Sequence, residues 1–316
     1  MRPVQVRGEV LSRRRVGAYH QITLIAPGIA DSARPGQFVA LTVGGEPSGL
    51  LLRRAFAIYT ATPAGVYGGT VQVVVAVRGA GTAWLATLRQ GDSVDVVGPL
   101  GTPFRLPARP VSAVLVGGGY GSASLFGLAE SLRARDCRID MVFGASTAER
   151  VFGELAAKRI ATSLEVTTED GSAGRHGIVT DVLAEVIERV GAGVVYACGP
   201  MPMLRACGDV ADSYGIPCQV AVEESMACGI GVCMTCVLPV VGNDRVTRMV
   251  RSCVEGPVFT ADTIRWDALG TVPPDALGAV PPRPGAEDPA ARAGGADGGG
   301  NVDGHGWVDG GDGSVR

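Results

Sequence analysis

Four cysteines constrain this chain more than any other feature: Cys228, Cys233 after four residues, Cys236 after two more, and Cys253 after a further sixteen. C-x4-C-x2-C with a distant fourth cysteine is the plant-type spacing of a [2Fe–2S] centre. Two irons need four thiolates, and a tight loop must wrap three of them around one side. In the loop Cys228-Gly-Ile-Gly-Val-Cys233, glycines stand at 229 and 231, where backbone has to approach sulfide without a Cβ in the way. Backbone N–H groups can then point at the cluster sulfurs and tune their potential. One alternative is structural zinc, which usually takes two C-x2-C knuckles where this chain has one. The other is that these four are inert core cysteines; four more, Cys137, Cys198, Cys207 and Cys218, are scattered along the chain.

Eight cysteines in 316 residues do not make a disulfide scaffold, which would be small, secreted and poor in core. With 46% hydrophobic and 19% charged residues, the chain suits a soluble globular core of about two domains. Met1 to Val10 alternates charge with valine and has no apolar h-region, so no secretory signal is expected. Nor does any run of 18 apolar residues suggest a transmembrane helix. Clustered cysteines then point to a metal site in a reducing compartment, and a cytoplasmic location is expected. A net charge of −3 suggests neither a nucleic-acid partner nor a membrane surface.

The expected fold class is β plus α/β, multidomain. Residues 1–106 read as an antiparallel β-barrel: Gln21–Ile25, Gln37–Val43 and Val71–Val77 are short strands separated by turn signals such as Pro35-Gly36 and Gly44-Gly45. Residues 107–220 read as a parallel-sheet α/β domain. Strands over 111–116, 139–143 and 194–198 alternate with helices, the clearest carrying Val179, Leu183, Val186, Ile187 and Val190 on one face and stopping at Gly191. Residues 221–266 form a small cluster domain. After Leu269 the composition collapses into Pro, Gly, Ala and Asp, and 267–316 is expected to be a disordered tail containing His305 and Trp307.

Gly117-Gly-Gly-Tyr-Gly121 follows a strand and precedes a helix, the context in which a helix N-terminus receives a phosphate. It departs from the dinucleotide fingerprint: Ser124 stands at the third glycine position, and no acidic residue ends the second strand. A plain strand-to-helix turn fits those glycines as well. Cys198-Gly-Pro200 lies at another strand end, at the carboxyl edge where ligands bind, although a buried small side chain is the commoner fate of such a thiol. In the barrel half, Arg53 and Arg54 have the fork geometry for a pyrophosphate. Gly79-Ala-Gly81-Thr82 precedes an expected helix from Trp84 to Leu88 and offers N–H groups and a hydroxyl. Surface arginines, a helix cap and a linker would explain each of these singly.

In this order the segments resemble the ferredoxin reductase superfamily and, within it, the electron-transfer subunits of NAD-linked (class 1B) dihydroorotate dehydrogenases. The resemblance covers residues 3–266. It rests on Arg53-Arg54, Gly79-x-Gly-Thr82-x-Trp-Leu85, Gly91-Asp92, Gly98-Pro-Leu-Gly101, Gly117–Gly121, Glu169-Asp-Gly-Ser172, Cys198-Gly-Pro200, Met226–Gly231 and Cys253-x2-Gly-Pro-Val-Phe259. It implies FAD between barrel and nucleotide domain, contacted by Arg54, Ala57, Val74, Val75, Ala76, Gly81 and Thr82. It implies NAD against Gly118, Gly119, Gly121, Cys198, Gly199 and Pro200, with Cys198 near the nicotinamide, and a [2Fe–2S] cluster on Cys228, Cys233, Cys236 and Cys253. Ala57 stands where the family carries a hydroxyl near the flavin N5.

The resemblance also implies a partner, an FMN-bearing subunit that oxidises dihydroorotate, in a heterotetramer of two plus two. Electrons would pass through the cluster and FAD to NAD⁺ in pyrimidine biosynthesis. A flavin must stand between the other two cofactors, because the cluster passes single electrons and nicotinamide exchanges a hydride. No side-chain acid or base is required. Two rival readings are a related subunit of a hydrogenase or ferredoxin-linked transhydrogenase, and a non-catalytic redox sensor, toward which Ala57 leans. Gly144 to Ala148 has no arginine poised for a 2′-phosphate, which favours NAD, with Arg150 nearby.

Overall fold

Alternation of buried and exposed side chains closes the first hundred residues into a barrel. In the strand over 70–76, Val71, Val73 and Val75 are fully buried in one core, the period of two expected of a sheet with one packed face. The computed structural model describes residues 3–45, 48–63 and 65–279. Its barrel strands are β1 (Val4–Val16), β2 (Tyr19–Ile25), β3 (Phe38–Leu41), β4 (Arg54–Thr62), β5 (Thr70–Ala76) and β6 (Ser93–Leu100), with short helices α1 (Ile29–Ser32) and α2 (Ala80–Leu85) in the connections. The strands pair antiparallel in the closed order β1-β2-β5-β4-β3-β6, which leaves no edge to pair with another chain. Val74 is also buried, but on the outer face of β5, in the core of the next layer.

From residue 112 strands and helices alternate: β7 (Ser112–Gly118), α3 (Phe126–Arg133), β8 (Arg138–Ala145), α4 (Glu154–Ile160), β9 (Ser163–Thr168), β10 (Arg175–His176), α5 (Thr180–Val190), β11 (Val194–Cys198), α6 (Met201–Ser213) and β12 (Cys218–Ala221). The strands run parallel in the order β10-β9-β8-β7-β11-β12. Strand order reverses between β7 and β11, and a crevice opens there at the carboxyl ends. α5 buries Val182, Leu183, Val186, Ile187 and Val190, and Gly191 ends it in the left-handed region at φ 58°. α5 and α6 cover one face of the sheet; α3 and α4 cover the other, which also receives Tyr19, Val74 and Phe104 from the barrel half. The join is pinned by two buried tyrosines, whose hydroxyls donate to backbone carbonyls: Tyr19 to Arg150 at 3.0 Å and Tyr196 to Arg105 at 2.9 Å.

Beyond β12 come the hairpin β13 (Val237–Val241) and β14 (Thr247–Arg251), then β15 (Val258–Thr260). β15 pairs antiparallel with β12 and becomes the last strand of the large sheet.

Four sequence expectations are corrected. α2 starts at Ala80, not Trp84, so Gly81 and Thr82 lie inside its first turn. The glycine-rich loop opens a 3-10 turn over Gly119–Leu125, and α3 begins only afterwards. The segment 221–266 does not separate cleanly, because β15 is woven into the nucleotide sheet. The expected tail starts later than 267: Ala276 is buried, the Leu277 N–H donates to the Thr247 carbonyl at 2.8 Å, and Asp275 pairs with Arg265 at 2.7 Å. From 280 onward, His305 and Trp307 included, the tail lies outside the described residues.

Candidate functional site

The segment from Glu223 to Cys236 turns sharply because three residues take positive φ: Gly229 at 71°, Gly231 at 85° and Met234 at 59°. A Cβ at Gly231 would lie 2.5 Å from Val254 Cγ2, so only glycine lets the loop run this close to the turn that carries Cys253. Cys236 and Cys253 are each 2% exposed, Cys228 is half-buried and Cys233 is exposed. The Ile230 N–H approaches Cys228 Sγ at 3.5 Å and the Thr235 hydroxyl donates to Cys233 Sγ at 3.1 Å, the N–H and O–H donors that steady thiolates.

The thiols act on one another across the loop. Thr235, and then Cys228, hold the Cys233 thiol down at about 6; burial, and then Cys236, push Cys253 up to about 12. Among the described residues no three His, Cys, Asp or Glu side chains converge to hold a single ion. Beside Cys253, the Ser252 hydroxyl is fully buried and has no hydrogen-bond partner among the described residues, as expected where its acceptor is not protein. The residues therefore fit a [2Fe–2S] group.

Cys236 and Cys253 pack against the barrel through Phe38, Ala40 and Leu100, with Met226 alongside. Phe38 and Met226 also line a cavity of about 210 Å³ between barrel and sheet. One layer of side chains thus separates the thiol cluster from this cavity.

The cavity receives Ala57, Val74, Ala76 and Thr82 from the barrel, and Gly121, Cys198 and Gly199 from the sheet. Val75, expected as a contact, instead points into the barrel core at 0% exposure; alternation turns it away from its two neighbours. Arg54 and Gly81 lie together just outside the cavity wall: a Cβ at Gly81 would sit 3.4 Å from Arg54 Nε. The Arg53 Nε is buried without a partner among the described residues, which leaves a cationic donor for an anion. The Thr82 hydroxyl is committed to its own turn, accepting from the Arg78 and Gly79 N–H groups at 2.9 and 3.1 Å and donating to the Gly79 carbonyl at 3.0 Å. These surroundings fit a flavin, with the unpartnered Arg53 Nε as a donor available to an anion.

Next to it, over the carboxyl ends of the sheet, opens a cleft of about 780 Å³. Gly118, Gly119 and Pro200 line it, with Arg150 and Glu169 among the other wall residues, whereas Gly121, Cys198 and Gly199, grouped with them by sequence, line the first cavity instead. Glu169 follows β9, one strand beyond the position at which an acidic residue is missing. The glycines serve the close packing of two turns. A Cβ at Gly118 would meet Pro200 Cδ at 2.8 Å, and one at Gly121 would meet the Cys198 carbonyl oxygen at 2.6 Å.

Tyr120 lines both spaces. Its hydroxyl donates to Glu223 Oε1, its ring lies 5.4 Å below the Arg78 guanidinium, and its edge meets Tyr19 at 5.7 Å. Burial, then Glu223, raise its pKa. Burial likewise pushes the Cys198 thiol up to about 11, against an opposing contribution from the Ser124 hydroxyl. Phe38, Arg78, Tyr120, Glu169, Glu223 and Met226 carry no assigned role from sequence alone. The signal for Tyr120 is its place inside the glycine run, and for Glu223 its place just ahead of the cysteines.

Residues 223–265 match the model of the iron–sulfur cluster binding domain of dihydroorotate dehydrogenase B. The electron transfer subunit of dihydroorotate dehydrogenase B (NAD(+)) from Geobacillus thermodenitrificans is 36% identical over 82% of this chain and 97% of its own length. A probable counterpart from Methanopyrus kandleri is 35% identical over 75% of this chain and 83% of its own. Among solved structures, an NADH-dependent reduced ferredoxin-NADP oxidoreductase superposes with TM-score 0.72 at 30% identity, covering 84% of this chain and 91% of that one.

Proposed function

This chain belongs to the family of electron-transfer subunits of NAD-linked dihydroorotate dehydrogenase B, and from that premise we propose how its residues conduct electrons. The function is transfer of electrons from a catalytic partner subunit to NAD⁺, with [2Fe–2S], FAD and NAD as cofactors. Cys228, Cys233, Cys236 and Cys253 hold the cluster; Arg54, Ala57, Val74, Ala76, Gly81 and Thr82 surround FAD, with Val75 behind them. Bound FAD supplies the conversion between single electrons and a hydride.

The observation that carries this reading is the shared wall. Phe38 and Met226 pack with the buried cysteines and also line the flavin cavity, so a cluster on these cysteines and a flavin in this cavity would share one apolar wall that keeps water from between them. Tyr120, held by Glu223 and Arg78, stands where the nucleotide cleft meets that cavity and orients the nicotinamide end. Gly118, Gly119 and Pro200 form the floor of the cleft. Cys198, beside Gly199 and Gly121, keeps its proton and acts as a small neutral wall.

The partner carries FMN and oxidises dihydroorotate, in an assembly of two copies of each subunit within the cytoplasm. Exposed Cys233 is ringed by Ile230 at 53%, Val232 at 74%, Met234 at 54% and Val254 at 42% exposure, an apolar rim suited to docking a protein beside the cluster. Among the described residues no helix is long and apolar enough to cross a membrane. A second reading, service in a ferredoxin-linked transhydrogenase, is favoured by the 30% identity to the ferredoxin-NADP oxidoreductase.

The test is NAD⁺ reduction by dihydroorotate, with the full chain and the catalytic subunit from the same organism mixed and separate. Turnover that needs both supports the assignment. Bleaching of flavin and cluster by NADH without turnover favours the second reading. Bleaching of neither group makes the chain a sensor and refutes electron transfer.

A further inference from the structure

The loop carrying Cys228 and Cys233 is fastened to the turn carrying Cys253 by one arginine. Arg251 ends β14, two residues before Cys253. Its Nη1 donates to the Gly231 carbonyl at 2.9 Å and its Nη2 to Glu255 Oε1 at 2.9 Å. Glu255 Oε2 in turn accepts the Arg251 backbone N–H at 2.9 Å. The approach is close: a Cβ on Gly231 would lie 3.4 Å from Arg251 Nη1. Both side chains are about one-third exposed, at 34% and 39%.

We propose that Arg251 and Glu255 form a charge-balanced latch that positions the cluster loop and sets the cluster's reduction potential. The latch rests on the reading that the four cysteines hold a [2Fe–2S] group. Such a group on four thiolates is anionic and gains a further negative charge on reduction. A nearby cation favours the reduced form and a nearby anion the oxidised form. Arg251 and Glu255 oppose each other, so removing one uncovers the other. Arg251 alone also reaches the loop, through Gly231. Its fork makes both contacts at once, which the point charge of a lysine does not reproduce.

The experiment uses the full chain with its cluster assembled. Midpoint potentials come from titration followed by electron paramagnetic resonance, and cluster release to a chelator is followed by absorbance. Glu255→Gln keeps the shape and removes the anion, so the potential rises. Arg251→Gln removes the cation, so the potential falls and the cluster is released at least tenfold faster. The double variant returns toward the wild-type potential but still releases fast. Arg251→Lys keeps the potential and releases faster than wild type. The charge role is overturned if the two single variants shift the potential in the same direction or not at all. Unchanged release in Arg251→Gln overturns the positioning role. If Arg251→Gln fails to hold a cluster, Glu255→Gln alone decides the charge role. A wild-type chain that takes up no cluster overturns the underlying reading and the latch together.

Discussion

Burial changes the chemistry of Cys198, the thiol that lines the flavin cavity. Its thiol is pushed up to about 11 because a thiolate in that wall would lose its solvent. The sign is that of a group held neutral, so at pH 8 about one molecule in a thousand carries the thiolate. Alkylation of Cys198 by iodoacetamide, followed by peptide mass spectrometry on the full chain, should rise roughly tenfold per pH unit from 8 to 10. A rate already level by pH 9 would show an ordinary exposed thiol instead. The four cysteines proposed as cluster ligands were legible in the sequence because one short loop supplies three of them. Phe38, Tyr120, Glu223 and Met226 were not. They meet from three segments far apart in sequence, and no local pattern marks the meeting. The Val75 side chain faces the barrel core instead, because consecutive strand side chains alternate between faces.

The two turns at the switch point act as one element, because backbone meets backbone without side chains between them. Replacing Gly121 by Ala would place a Cβ 2.6 Å from the Cys198 carbonyl oxygen and 2.9 Å from Gly199 Cα, and neither atom has a flexible end to yield. Overpacking of this kind costs about 1–3 kcal/mol. Gly121→Ala should lower the melting temperature by several degrees and reduce the FAD recovered per chain. An unchanged melting curve with full FAD would mean the turns are free to separate. Sequence periodicity located α5 to within a residue of its ends, since five buried side chains and a left-handed glycine all agree. It misplaced α2, where Trp84 and Leu85 drew the start too late and the true cap is Gly79, held by Thr82. It also took the glycine run for a helix entry, whereas close packing against Cys198–Pro200 tightens that stretch into a 3-10 turn.

At the scale of the molecule, the order of barrel, nucleotide sheet and cysteine segment was readable because each has its own periodicity and turn chemistry. The proposed docking rim was not, since exposure of Ile230, Val232 and Met234 depends on how the loop is turned. Val232→Glu would place a charge in that rim. Its association with the catalytic subunit, measured by sedimentation, should weaken at least tenfold, the factor that about 1.4 kcal/mol produces, while the cluster absorbance stays. Association as tight as wild type would place the partner elsewhere. The pairing of β15 with β12 bears on how such chains can be recombined. A graft cut at residue 221 and closed at 258 would strip the nucleotide sheet of its edge strand and expose β12 to pairing with other molecules. The inheritable unit is therefore longer than the cysteine loop: a functional transplant must carry the run through Thr260 together with a recipient strand shaped to accept it.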